Sequence, residues 1–100
     1  MIVGTYHKQP EESDVVGINF DRWLSAGESI TNATATARNA RTGDDATPIV
    51  LSGAPTITGT QALVRVFGGV SRTNYIVQLT ISTSLAKTRQ AEFQLAVKED

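Results

Sequence analysis

Asn74-Tyr75-Ile76-Val77-Gln78-Leu79-Thr80-Ile81-Ser82-Thr83 is the stretch that decides the fold. Tyr75, Val77, Leu79 and Ile81 recur at every second residue, and because strand side chains alternate between faces, all four fall on one side of a sheet. Residues 60–67 repeat the phase, with Ala62, Val64 and Val66 inward and Leu63, Arg65 and Phe67 outward. Gly68-Gly69 supplies a turn before the central strand, since glycine accepts the positive φ that such connections need. After a link over residues 84–89, Phe93, Leu95 and Val97 form a last inward row.

Upstream the same period continues in shorter pieces. Val16, Ile18 and Phe20 alternate in a first strand over residues 14–20, which Gly17 weakens in the manner of an edge or bulge. Asp21-Arg22-Trp23-Leu24 reads as one helical turn capped by Asp21, with Trp23 and Leu24 folded over the open end of the core. Residues 28–38 make a second strand, where the phase change between Ile30 and the Ala33, Ala35, Ala37 series implies a bulge near Thr31 and Asn32. A polar loop over residues 39–47 leads to a short third strand carrying Ile49 and Leu51, ended by Gly53-Ala54-Pro55, with a strand fragment at residues 56–58. Residues 1–13 read as an extended amino-terminal arm whose docking the pattern leaves open, and residues 14–100 as one domain.

These elements specify an all-β fold: an antiparallel β-sandwich of about seven strands with Greek-key connections and one short helical turn. Tyr75 near the start of the penultimate strand fits an immunoglobulin-like sandwich, and the chain has no cysteine for the disulfide of antibody domains.

Composition narrows function by exclusion. A net charge of −1 with acids and bases scattered gives no electrostatic footprint for nucleic acid or an anionic membrane. No apolar run approaches the roughly 20 residues that cross a bilayer, and the first residues lack the charged-then-apolar order of a signal peptide. An unexported protein is expected.

Two segments look familiar as wholes. Asn19-Phe20-Asp21-Arg22-Trp23-Leu24-Ser25-Ala26-Gly27-Glu28-Ser29-Ile30 resembles the Asp-Phe-x-x-Trp-Leu-x-x-Gly-Glu-x-Ile opening of tailed-phage fibre–tail adaptor proteins. Phe67-Gly68-Gly69, running to Tyr75-Ile76-Val77, is similar to that family's Gly-Gly-x-x-x-x-x-Tyr-x-Val block. The chain departs from the pattern at Ala35, where the family often has tryptophan, at Leu85-Ala86-Lys87, where its hairpin usually turns on glycine, and at Thr73, where glycine is common. The resemblance implies a non-enzymatic, immunoglobulin-like virion structural protein, made in the bacterial cytoplasm. It further implies a homo-oligomer or ring on a phage tail or neck, contacting other tail, neck or fibre proteins and using no cofactor. Capsid decoration or head–tail joining is the alternative within that class.

The residue-level candidates are weighed against plainer readings. His7, the sole histidine, lacks the oriented partner a nucleophile system needs and reads as an exposed arm residue. Asp44 and Asp45 lack the ligand spacing of a calcium loop, and the carboxylate pairs Glu11-Glu12 and Glu99-Asp100 sit near the chain ends, away from any expected pocket. Trp23 could stack on a sugar as in carbohydrate-binding sandwiches, which would require Trp23 and Tyr75 exposed on a common surface. More informative is the outward row Leu63, Arg65 and Phe67, extended by Ile76 on the following strand: apolar side chains around an arginine on a wet face make an association surface. The plainer reading is a strand covered by residues 1–10 or by a loop.

If Leu79 belongs to the central inward row, Leu79→Ala should cost about 2–5 kcal/mol through the cavity it leaves. Urea unfolding is the measurement, and a loss below about 1 kcal/mol would remove Leu79 from the core.

Overall fold

The computed structural model describes residues 2–98. The strands are β1 (Ile2–Lys8), β2 (Asp14–Asn19), β3 (Ile30–Asn39), β4 (Leu51–Thr58), β5 (Gln61–Val66), β6 (Thr73–Thr83) and β7 (Thr88–Val97). A 3-10 turn, Asp21–Trp23, follows β2, and a single α-turn, α1 (Thr47–Val50), precedes β4. Two sheets form, one ordered β1-β7-β6-β3 and the other β2-β5-β4, and they stack as an all-β sandwich.

The core lies where the inward rows of the two sheets meet. Tyr75, Val77, Leu79 and Ile81 of β6 are buried, flanked in register by Leu95, Phe93 and Ala91 of β7 and by Ala37, Ala35 and Ala33 of β3. From the other sheet come Ala62, Val64 and Val66 of β5 and Ile18 of β2. The small β3 residues are offset by Phe20, the largest fully buried side chain, whose backbone N–H reaches the Thr60 carbonyl at 2.8 Å. Trp23 is half-buried at the rim, its ring 5.3 Å from that of Phe20. The bulge expected near Thr31 and Asn32 is present as a register shift between Ile30 and Asn32.

Four local readings need correction. The 3-10 turn is not capped by Asp21: Asn19 Oδ1 accepts the Asp21 N–H at 2.9 Å and the Thr60 hydroxyl at 2.8 Å, tying β2 to the β4–β5 turn. Residues 48–50 are a helical turn rather than strand, since Pro48 sets a helical φ at its start and Asp45 Oδ1 takes the Thr47 N–H at 3.2 Å. Ile49 is therefore exposed while Val50 and Leu51 are both buried. Gly53-Ala54-Pro55 does not end the strand but forms an irregularity inside β4, which resumes pairing with β5 at Thr56. Finally, not every pairing is antiparallel: β1 adds to the sheet edge parallel to β7, with Tyr6 opposite Leu95 and Lys8 opposite Val97.

The β6–β7 hairpin turns through Ser84-Leu85-Ala86. The Ala86 N–H bonds to the Thr83 carbonyl at 3.0 Å, and the Thr83 N–H to the Lys87 carbonyl at 2.9 Å. Ala86 adopts φ +59°, the left-handed position of a three-residue hairpin loop, which glycine occupies without Cβ strain. Ala86→Gly should accordingly stabilise the protein by about 1 kcal/mol. A urea midpoint that falls instead would show that the alanine conformation is unstrained.

Candidate interaction surface

The outer face of the β2-β5-β4 sheet carries the strongest apolar feature. Leu63 and Arg65 point outward from β5, and Phe67 continues the row just beyond the strand. Val15 of β2 lies directly opposite Arg65 and is 45% exposed, so the row widens across the sheet. Leu63 lies flat over Gly17, opposite it in register, where any β-carbon would collide with the leucine side chain. Glycine at this place lets a leucine spread across the sheet surface. Past the end of β5, exposed Ile49 and Val70 continue the apolar character, with the Phe67 N–H held by the Val50 carbonyl at 2.9 Å.

Ile76 does not belong to this row. It sits on β6 in the other sheet, between Arg38 of β3 and Gln94 of β7 in register, and is only 8% exposed. Its covering has a visible cause: Arg38 Nη1 and Glu92 Oε2 meet at 3.0 Å across β6, laying their side chains over the strand. The sequence placed β6 beside β5 because the two are consecutive, but their connection crosses from one sheet to the other. The amino-terminal segment does not cover β5 either, because β1 pairs with β7 in the opposite sheet.

The end of the sandwich nearest Phe67 is fixed by groups that sequence reasoning missed. Lys8 is buried, and its Nζ donates to the carbonyls of Gly68 and Gln9, each at 2.6 Å. Burial lowers its pKa, with Glu12 pulling the other way. Its signal was available in the alternation of Tyr6 with Lys8, which gives the lysine an inward phase. Gly69, at φ +93°, leaves no room for a β-carbon, which would stand 2.9 Å from Val97 Cγ2 and 3.3 Å from the Tyr75 ring. The Tyr75 hydroxyl accepts the Val70 N–H at 3.0 Å, pinning the loop to the core. Tyr75 is thus buried at the opposite end from Trp23, and the two do not form a common sugar-stacking surface.

Several carboxylates have structural partners. Asp45 accepts from both the N–H and the hydroxyl of Thr47, which hold its carboxyl below the ordinary range. No group of three or more His, Cys, Asp or Glu suited to a metal ion occurs among the described residues. Glu28 is buried and held in its charged form by the Thr83 hydroxyl, the Ser25 N–H, Lys87 and Arg89. Its Oε1 takes the Ser25 N–H at 2.8 Å, whereas Oε2 has no well-formed hydrogen bond. His7 is exposed on the outer side of β1.

A family model described as podophage GP4 fiber-tail adaptor protein gp77 matches residues 8–96. No curated protein matches the chain. The matched span contains the three-stranded sheet, its outward row and the Gly68-Gly69 turn.

The two sheets are clasped at their open side by the Tyr6 hydroxyl, which donates to Asp14 Oδ2 at 2.5 Å. That bond is the largest cause of the lowered Asp14 pKa and of the raised Tyr6 pKa. The Asp14 contribution to stability is therefore present above its unfolded pKa of about 4 and lost as pH falls through the lower folded value. The Tyr6 contribution is present below its unfolded pKa of about 10 and lost as pH rises through the higher folded value. Tyr6→Phe should flatten both limbs of the stability profile measured by urea unfolding, leaving the acid slope due to Glu28, Asp45 and the part of Asp14 that the Val15 N–H and Arg65 maintain. An unchanged profile would show that the clasp does not form in solution.

Proposed function

Because the chain belongs to the podophage GP4 fiber-tail adaptor family, we propose that it is a non-enzymatic structural protein of the virion that joins the tail to its fibre proteins in several copies. The family match over residues 8–96 carries this reading. An adaptor must hold a fixed shape while presenting surfaces to more than one neighbour, and a sandwich with both ends braced meets the first requirement. The apolar outer face formed by Val15, Leu63, Arg65 and Phe67 supports the second for one such neighbour, since exposed apolar groups around an arginine are what association surfaces bury.

The strand order supports treating the domain as immunoglobulin-like. The second, fifth and fourth strands form one sheet and the third, sixth and seventh the other, with the first strand added parallel to the last. Tyr75 bonding back to the loop before its own strand supports the same reading.

Replacing Leu63 and Phe67 together by serine should preserve the circular dichroism spectrum and melting behaviour while abolishing co-assembly with the tail and fibre proteins in sedimentation. Co-assembly that survives the double substitution would exclude this face as the contact.

A further inference from the structure

At the same end of the sandwich as the Gly68-Gly69 turn, the loop after β3 and the start of β6 enclose a polar cleft. Arg41 and Thr42 line one wall, and Arg72, Thr73 and Asn74 the other. Its backbone is fixed. The Ala40 N–H bonds to the Asn74 carbonyl at 2.9 Å, joining the walls, and the Arg72 N–H bonds to the Val97 carbonyl at 2.8 Å. Asn39 Oδ1 takes the N–H groups of Arg41 at 2.8 Å and Thr42 at 3.2 Å, so the asparagine holds the loop.

Two features set this cleft apart from an ordinary gap between loops. Arg38 has its carboxylate in Glu92, but among the described residues neither Arg41 nor Arg72 has an ion-pair partner. Arg72 also stands at φ +65°, where glycine would be unstrained; the same loop uses glycine at its other positive-φ positions, Gly68 and Gly69. The chain thus carries a guanidinium on a backbone that disfavours any side chain. Among the described residues the acids at this end do not line the cleft: Asp45 is turned to Thr47, and Asp44, Glu11, Glu12 and Asp14 lie outside its lining.

We propose that this cleft seats a carboxylate of an acidic segment on a partner polypeptide, gripped from opposite walls by Arg41 and Arg72. Guanidinium forks match the two oxygens of a carboxylate, and the threonine and asparagine groups beside them supply further donors. Two arginines suffice for one seated carboxylate, whereas nucleic acid needs a run of cations along its backbone that the cleft lining does not offer. The assignment gives the chemistry of one partner contact and rests on the adaptor reading only for that partner being another virion protein.

Amide and guanidinium NMR spectra of the whole protein, titrated with capped tetraglutamate, capped tetraglutamine and inorganic phosphate, test it. Tetraglutamate should shift residues 39–42 and 72–74 saturably, with Arg41→Gln and Arg72→Gly each weakening binding by about tenfold or more. Arg72→Gly should melt no lower than the parent, because glycine relieves the positive φ, so its loss of binding is not a loss of fold. The inference is overturned by an absent or non-saturable shift, by equal binding of tetraglutamine, by equal binding of phosphate, which would mark general anion attraction, or by unaltered affinity in the arginine variants. The Leu63 and Phe67 serine variant should bind tetraglutamate normally. Its failure to co-assemble and the failure of the cleft are therefore read separately.

Discussion

Burial of the β6 inward row between two sheets is the constraint on which the remaining structure depends. Tyr75, Val77, Leu79 and Ile81 occupy the middle of the four-stranded sheet, with a hydrogen-bonded partner strand on each side and the β5 row packed in the same core. Their period of two fixes the register, because a slip of one residue would turn all four to solvent and bring Ile76, Gln78 and Thr80 inward. The alanines of β3 follow from this packing. Opposite Ile81, Leu79 and Val77 they keep the edge thin, and the volume they leave is taken up by larger members of the same core such as Phe20.

Closing the two ends of such a sandwich takes different chemistry. At one end, Asn19 bridges the 3-10 turn and Thr60, and Phe20 and Trp23 cap the apolar interior. At the other, a buried lysine is satisfied entirely by carbonyl groups, two of them at 2.6 Å, so the charge costs less than burial alone would demand. Lys8 thereby ties the edge strand to the Gly68-Gly69 turn, which Tyr75 holds from the core side. The segments carrying Arg41 and Arg72 are held by backbone bonds of their own, from the Ala40 N–H to the Asn74 carbonyl at 2.9 Å and from the Arg72 N–H to the Val97 carbonyl at 2.8 Å.

Local periodicity made β5, β6, β7 and the β3 bulge legible in the sequence, because alternation and its phase shifts are properties of adjacent residues. What was not legible depended on distant ones. Ile49 and Leu51 alternate as in a strand, yet the carboxylate of Asp45 and the ring of Pro48 win the first of them for a helical turn. Gly53-Ala54-Pro55 has the composition of a terminator, but β5 runs on beyond it and recaptures the chain at Thr56. For the candidate face, the Leu63, Arg65, Phe67 row was readable from β5 alone, whereas the neighbours Val15 and Ile76 required the sheet order. Consecutive strands are not always adjacent, and here that rule exchanged an isoleucine for a valine.

The way the edges are built bears on how such a domain can associate. An unpaired strand edge invites another chain to add to the sheet, and irregularities blunt it. β1 loses register between Ile2 and Thr5, and β4 between Ser52 and Thr56 around Pro55, while the outer side of β3 is met by Asp45 opposite Arg38. β2 runs regularly but is short and has Gly17 within it. Strand addition is thus disfavoured at most of the perimeter. The outer face of the four-stranded sheet is no better suited, since its Thr34, Thr36, Gln78 and Thr80 keep it wet and its isoleucine is roofed by an ion pair. Apolar area remains mainly on the other sheet, around Val15 and Phe67. Contacts made there and at the loops leave the hydrogen bonding of both sheets intact, so a neighbour can bind without reopening the fold.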